Sequence, residues 1–193
     1  YRVDVNSPLE PSSGAFLDDS RLRAIIPTLR TLQNSKVVML GHQSRPGKID
    51  FTNMEQHADR ISRLIGKKVK FVSDICGDEA ISSIKSLKIG EMLFLDNIRM
   101  HDDENSMKKA SLEETAQSEI VRKLSSVIDV YVTDAFAASH RNSPSLTGFY
   151  DSVPCIAGHL MSKEISNLQI AVNDPPRPYI AILGGTKCDD SLK

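Results

Sequence analysis

The chain reads as an α/β domain, a three-layer α/β/α sandwich around a six-stranded parallel sheet. Short apolar runs alternate with stretches of helical period along its whole length, the pattern of repeated βαβ units. Two helix starts carry capping-box spacing, Thr52-Asn53-Met54-Glu55 and Ser111-Leu112-Glu113-Glu114. No repeat, linker or low-complexity segment interrupts the alternation.

Tyr1 to Val5 is the first expected strand. A loop with two prolines and Gly14 follows, then a helix from about Asp19 to Gln33 with Leu22, Ile25, Ile26, Leu29 and Leu32 on one face. Pro27 lies inside it and predicts a kink. Lys36 to Leu40 is the second strand. The helix opened by the first capping box stops at Gly66, where a residue without Cβ suits a left-handed cap. Lys67 to Val72, Glu91 to Leu95 and the run from Val127 to Thr133 are the next strands, with a short helix from Asp78 to Leu87 and a long one from Ser111 to about Ser126 between them. A helix from about Gly158 to Val172 leads through the proline-rich Asn173 to Pro178 into a sixth strand, Pro178 to Leu183, closed by Gly184-Gly185.

At 193 residues the chain suits one large domain, and a compact chain of that size buries roughly 70% of its unfolded surface. Charge is balanced, with 24 Lys and Arg against 25 Asp and Glu, and there is no tryptophan and no long basic tract. That composition argues against nucleic acid as a partner. No apolar run approaches the ~20 residues of a membrane span, so no membrane partner is expected. Cys76, Cys155 and Cys188 are odd in number and lack metal-ligand spacing, which predicts buried structural thiols, no metal site and a reducing cytoplasmic setting. The strand-like opening at Tyr1 without a methionine, and an end ten residues past Leu183, lead us to expect residues missing at both ends.

Chemistry concentrates just after the apolar strands. Arg2-Val3-Asp4-Val5-Asn6-Ser7-Pro8 puts Arg2, Asp4 and Asn6 on one face of the first strand. His42 and Arg45 follow the second strand in Gly41-His42-Gln43-Ser44-Arg45-Pro46, where Gly41 is read as permitting a sharp exit and Pro46 as stiffening the loop. Arg99 follows the fourth strand, and His140 with Arg141 follow the fifth. Ligands of open parallel sheets sit outside the strand carboxyl ends, and guanidinium groups grip carboxylate or phosphate bidentately. These five basic residues therefore predict a cup for a small, strongly anionic molecule.

Taken in order, the motifs resemble those of the N-terminal domain of the phosphoglycerate kinase family across essentially all 193 residues. Arg2-x-Asp4-x-Asn6-Ser7-Pro8 is the most specific of them. Gly41 to Pro46 resembles the family's Ser-His-x-Gly-Arg-Pro loop, Asp96-Asn97-Ile98-Arg99 its Glu-Asn-x-Arg, Thr133 to Arg141 its Asn-Asp-Ala-Phe-x-x-x-His-Arg, and Leu183 to Lys187 its Leu-Gly-Gly-Ala-Lys. Ala137 and Ser143 depart from the family's usual glycine and histidine. Asp189-Asp190-Ser191 stands where many members carry a second lysine, a form similar to archaeal-type members, with Lys193 two residues on.

The resemblance implies a Rossmann-like substrate-binding domain over 1–183, the start of an interdomain segment over 184–193, and a nucleotide-binding domain beyond this chain. It implies a glycolytic phosphotransferase with a carboxyl acceptor, moving phosphate between ATP and 3-phosphoglycerate, active only at full length. Asp4 and Asn6 would meet the substrate's hydroxyl and carboxylate region, while His42, Arg45, Arg99, His140 and Arg141 would hold its phosphate. Arg21 would touch the reacting carboxylate, and Lys187 would reach the nucleotide phosphates. Mg²⁺ with ATP or ADP is expected in the full enzyme and no cofactor in this portion, with a monomer as the working state. The alternative is an anion-binding α/β module without kinase activity. A nicotinamide-dependent oxidoreductase is disfavoured because no Gly-x-Gly-x-x-Gly turn follows the first strand.

Overall fold

In the computed structural model, which describes residues 1–180 and 182, strands β1 (Val37–Met39), β2 (Val69–Val72) and β3 (Met92–Leu95) pair in parallel in the order β1-β3-β2. All four residues of β3 are buried, because helices cover both faces of the sheet. Met92 and Phe94 join a core with Leu22, Ile25, Leu29, Met54, Ala58 and Ile61, whereas Leu93 and Leu95 join a second with Ala80, Ile84, Ile120, Val121 and Phe149. Strand alternation alone sends neighbouring residues into opposite cores.

A second parallel pair, β4 (Tyr131–Thr133) and β5 (Cys155–Ala157), lies beyond the N-terminal segment. Arg2 joins the two sheets through parallel bridges to Leu40 and to Thr133. Its N–H donates to Val132 at 2.8 Å and its carbonyl accepts from Asp134 at 2.9 Å, while Val3 N–H donates to the Leu40 carbonyl at 2.9 Å.

Among the described residues the expected six-stranded sheet is thus corrected to a sheet of three strands and one of two, linked through Arg2. The first segment forms only a bridge because its neighbours leave the ladder at Gly41 and after Asp134, so Asp4 and Val5 have no strand beside them. Cys155–Ala157 went unforeseen, being only three residues between Pro154 and Gly158. Of the strand expected over Pro178 to Leu183, Pro178, Tyr179 and Ile180 have no strand pairing, and Ala181 and Leu183 lie outside the described residues.

Pro27 divides the first expected helix into α1 (Ser20–Ala24) and α2 (Ile26–Thr31), occupying the first turn of the second piece, where its missing N–H costs nothing. Helix α3 (Glu55–Ile65) ends at Gly66 with φ 68°, as expected. Its start differs from the expected capping box. Glu55 N–H, which the box would give to the Thr52 hydroxyl, donates to the Asn53 side chain at 3.2 Å, and Asp96 accepts from Met54 N–H at 3.2 Å.

After α4 (Asp78–Ser86) and α5 (Asp102–Ser106), the second capping box forms as read, with Ser111 and Glu114 bonding reciprocally at the start of α6 (Leu112–Ala116). The long helix expected there breaks, because the Ser118 hydroxyl accepts from Val121 N–H and opens α7 (Glu119–Ser125). Next come α8 (Pro144–Thr147) and α9 (His159–Asn173). The chain forms two compact units, Tyr1–Ser162 and Lys163–Lys193, and α9 belongs to both.

Cys76 is buried, its thiol pushed up to about 11 chiefly by that burial. Cys155 corrects the expectation of buried thiols, since β5 is an edge strand with all three residues exposed. Cys188 lies outside the described residues. Among the described residues no helix is long and apolar enough to cross a membrane.

Gly41 is required for space, not for an unusual backbone angle. A Cβ there would lie 2.8 Å from Phe94 Cζ and 3.1 Å from Val5 Cγ2, both fully buried. Gly41→Ala should therefore destabilise the chain by about 1–3 kcal/mol through overpacking. Urea unfolding checks this, and a loss below about 0.5 kcal/mol would mean that the Phe94 ring moves aside freely.

Candidate functional site

The loops leaving the carboxyl ends of β1, β3 and β4, together with the first segment, meet at one end of the paired strands. Three buried groups clip them together. Gln43 bonds the Ser7 backbone in both directions, accepting from its N–H at 3.2 Å and donating to its carbonyl at 2.9 Å. His57, on the inner face of α3, lies with Nε2 3.1 Å from the same Gln43 oxygen and packs edge-on against Phe16. Asn97 donates to the Gln43 carbonyl at 2.8 Å, tying in the loop after β3.

Ser44 holds φ 56°, the left-handed region that side chains rarely enter. Three partners hold it there. The Asn6 side-chain carbonyl accepts from its N–H at 2.7 Å, the Arg99 guanidinium donates to its carbonyl, and its hydroxyl donates to Asp50 at 2.5 Å. The reversal carries Arg45 outward to an exposed position.

Asp4 is buried, and Arg21 pairs with its Oδ2 from α1 while remaining 44% exposed at the side chain. Its other oxygen, Oδ1, is buried without a hydrogen-bond partner. A buried carboxylate oxygen left unmatched is costly and rare, so this atom marks a place for a donor.

Beside it, His42 is buried with its Nδ1 3.1 Å from Nη2 of Arg2. Its protonated form is disfavoured first by burial and then by the charges of Arg2, Arg141, Arg21 and His57, which bring its pKa down to about 2. Cations from the first segment, α1 and the loop after β4 therefore converge on one imidazole.

Asp4, Asn6, Arg21, His42, Arg99 and Arg141 are brought together by these contacts. Arg45 and His140 are exposed, and Arg141 Nε lies 3.4 Å from His140 Nε2. Lys187, Ser191 and Lys193 lie outside the described residues. Sequence reasoning missed three contributors. Arg2 is placed on the right face by strand alternation but not assigned to the site, Gln43 is named only as part of a loop motif, and His57 carries no motif although it sits one helical turn before the core residue Ile61. Asp134, from the same motif as His140 and Arg141, faces inward instead. It accepts from Tyr1 and Thr28 hydroxyls at 2.7 Å each and from Met161 N–H at 2.8 Å.

Fold and site together define an α/β domain with a cationic rim at the carboxyl ends of parallel strands. A family model described as Phosphoglycerate kinase matches residues 1–193. Phosphoglycerate kinase of Methanothermobacter thermautotrophicus is 45% identical over 99% of this chain and 46% of its own length, and that of Methanosarcina mazei is 44% identical over 100% and 45%. The crystal structure of phosphoglycerate kinase from Pyrococcus horikoshii OT3 is similar with a TM-score of 0.94 and 43% identity, covering 99% of this chain and 47% of that one. The chain belongs to the phosphoglycerate kinase family, and it resembles the archaeal members. It spans about half the length of the curated relatives it matches.

The burial of His57 has a measurable consequence. Burial lowers its pKa to about 4, only partly offset by the Val5 carbonyl. An unfolded histidine titrates near ~6.5, so below that pH the unfolded chain binds a proton that the native chain refuses. Stability should therefore fall from about pH 6.5 toward about pH 4, by about 3 kcal/mol in total from this group. His57→Gln should flatten that part of the curve in urea unfolding measured across pH. Parallel curves for the two proteins would show that native His57 takes up its proton normally.

Proposed function

We propose that this chain is the acid-substrate half of a phosphoglycerate kinase, which moves a phosphoryl group reversibly between ATP and 3-phosphoglycerate. The observation that carries the reading is Asp4. Its carboxylate is buried, one oxygen is paired with Arg21 and the other is unpartnered, beside a cluster of cations. A ligand carrying a hydroxyl near two anionic groups satisfies both features at once.

In this reading Asp4 accepts from the substrate hydroxyl, and Asn6, already fixed by Ser44, borders the carboxylate region. His42, Arg99 and Arg141 hold the phosphate, with Arg45 and His140 closing over it from exposed positions. Arg21 is pinned to Asp4 through one nitrogen and keeps other donors for the reacting carboxylate. In-line phosphoryl transfer needs alignment and charge neutralisation more than covalent help, and this arrangement supplies both.

The carboxylate oxygen of the acid attacks the γ-phosphorus as the bond to the ADP oxygen breaks. Lys187 is assigned to the nucleotide phosphates. Among the described residues no three His, Cys, Asp or Glu side chains gather as metal ligands. We assign Mg²⁺ and the ATP or ADP it accompanies to the nucleotide half found in the longer relatives. The domain division at 183/184, a monomeric state and a cytoplasmic setting belong to the same proposal.

Charge-assisted contacts of about 1.5–3 kcal/mol each, set against an association cost of about 4–15 kcal/mol, make a moderate binder. Titration calorimetry should show 3-phosphoglycerate binding that weakens as salt is raised. Arg45→Ala and Arg141→Ala should each weaken it at least about tenfold, a loss of about 1.4 kcal/mol. Affinity unchanged in both variants would defeat the site assignment.

A further inference from the structure

We propose that Arg2 is a positioning residue that locks His42 in its neutral Nε2–H tautomer, so that this imidazole meets an anionic ligand as a hydrogen-bond donor and neither as a cation nor as a base. The inference deepens the substrate reading above, because it states how one member of the rim presents itself to the phosphate.

The contact is between Nη2 of Arg2 and Nδ1 of His42 at 3.1 Å. A guanidinium has five donors, no acceptor, and does not lose its proton in proteins. Nδ1 must therefore be the acceptor and carry no hydrogen, and a neutral ring then has its proton on Nε2.

The rest of the Arg2 side chain is equally determined. Nη1 donates to the Val3 carbonyl, and Nε donates to the Ser145 hydroxyl at 3.0 Å. Ser145 passes its own proton to Glu104 at 2.7 Å, and Glu104 also accepts from Ser143 at 2.8 Å and from Ser145 N–H at 3.0 Å. Glu104 is buried, as is Arg2, so a carboxylate one hydroxyl away serves as the counter-charge of the guanidinium. Every donor and acceptor from Glu104 to His42 has one orientation that fits.

Adding a proton to Nδ1 would set two donors face to face. The groups bearing on His42 from the neighbouring elements, Arg2, Arg141, Arg21 and His57, all oppose a second positive charge, and burial opposes it further. A neutral donor has an advantage here, since it can approach phosphate without adding repulsion among the arginines. It also keeps the charge of this donor constant across the pH range where free histidine titrates.

Nitrogen-detected NMR of the imidazole rings in the ¹⁵N-labelled chain, followed from about pH 8 to about pH 5, reads the tautomer directly. The expected His42 spectrum shows a bare Nδ1 and a protonated Nε2, without titration, both alone and with 3-phosphoglycerate. A protonated Nδ1, or a midpoint near the ordinary histidine value, overturns the proposal. Arg2→Met should release the ring into mixed tautomers, and an unchanged spectrum in that folded variant also overturns it. Should Arg2→Met fail to fold, the unsubstituted chain decides alone. Calorimetry on the same samples separates the two readings. A locked tautomer in a chain that does not bind 3-phosphoglycerate supports the role of Arg2 and defeats the substrate assignment.

Discussion

Arg2 bridges the two parallel sheets, and its backbone and side chain serve different ends. Its N–H and carbonyl bond Val132 and Asp134 on one side, and its neighbours Tyr1 and Val3 bond Leu40 on the other, so three lengths of chain are held in register around it. The side chain cannot reach water, and it distributes its donors over Val3, Ser145 and His42. Burying a cation is costly unless it is bonded and balanced, and the nearby Glu104 supplies the balance through Ser145. Because the adjoining strands end here, Asp4 and Asn6 leave the sheet with their side chains free for the rim.

The division of labour behind the rim follows from that junction. Gln43, Asn97 and His57 make the contacts that an apolar core cannot make, joining loops of distant origin through oriented hydrogen bonds. The residues in front of them keep their charge and much of their exposure. Rigidity thus comes from neutral amides and an uncharged ring behind the site, and the guanidinium groups ahead of them are those to which the proposed function gives the anion.

Much of this was legible from residue patterns, and what was missed had physical reasons. Apolar runs located β1 to β4 because each contributes side chains to two cores, whereas Cys155–Ala157 is too short and too exposed to carry a burial pattern. Ser111 and Glu114 announced a helix start because their bonds are local. Thr52 and Glu55 have the same spacing, but Glu55 N–H donates to the Asn53 side chain instead, a competing local acceptor that spacing alone does not rank. The basic residues of the site were visible because they follow strands. Arg2 and His57 were not, since their importance lies in which neighbours they face, and Asp134, in the same motif as His140 and Arg141, turns inward to Tyr1, Thr28 and Met161.

Ser44 shows how far this prearrangement extends. Its backbone is gripped at the N–H by Asn6 and at the carbonyl by Arg99, and its hydroxyl is held by Asp50, so the unusual φ of 56° is maintained from three directions. The disorder that a loop would otherwise surrender on capturing a ligand has been surrendered already, during folding. What remains to be frozen at Arg45 is the freedom of one side chain, and selectivity among anions then depends on where a stiff loop places that side chain's root.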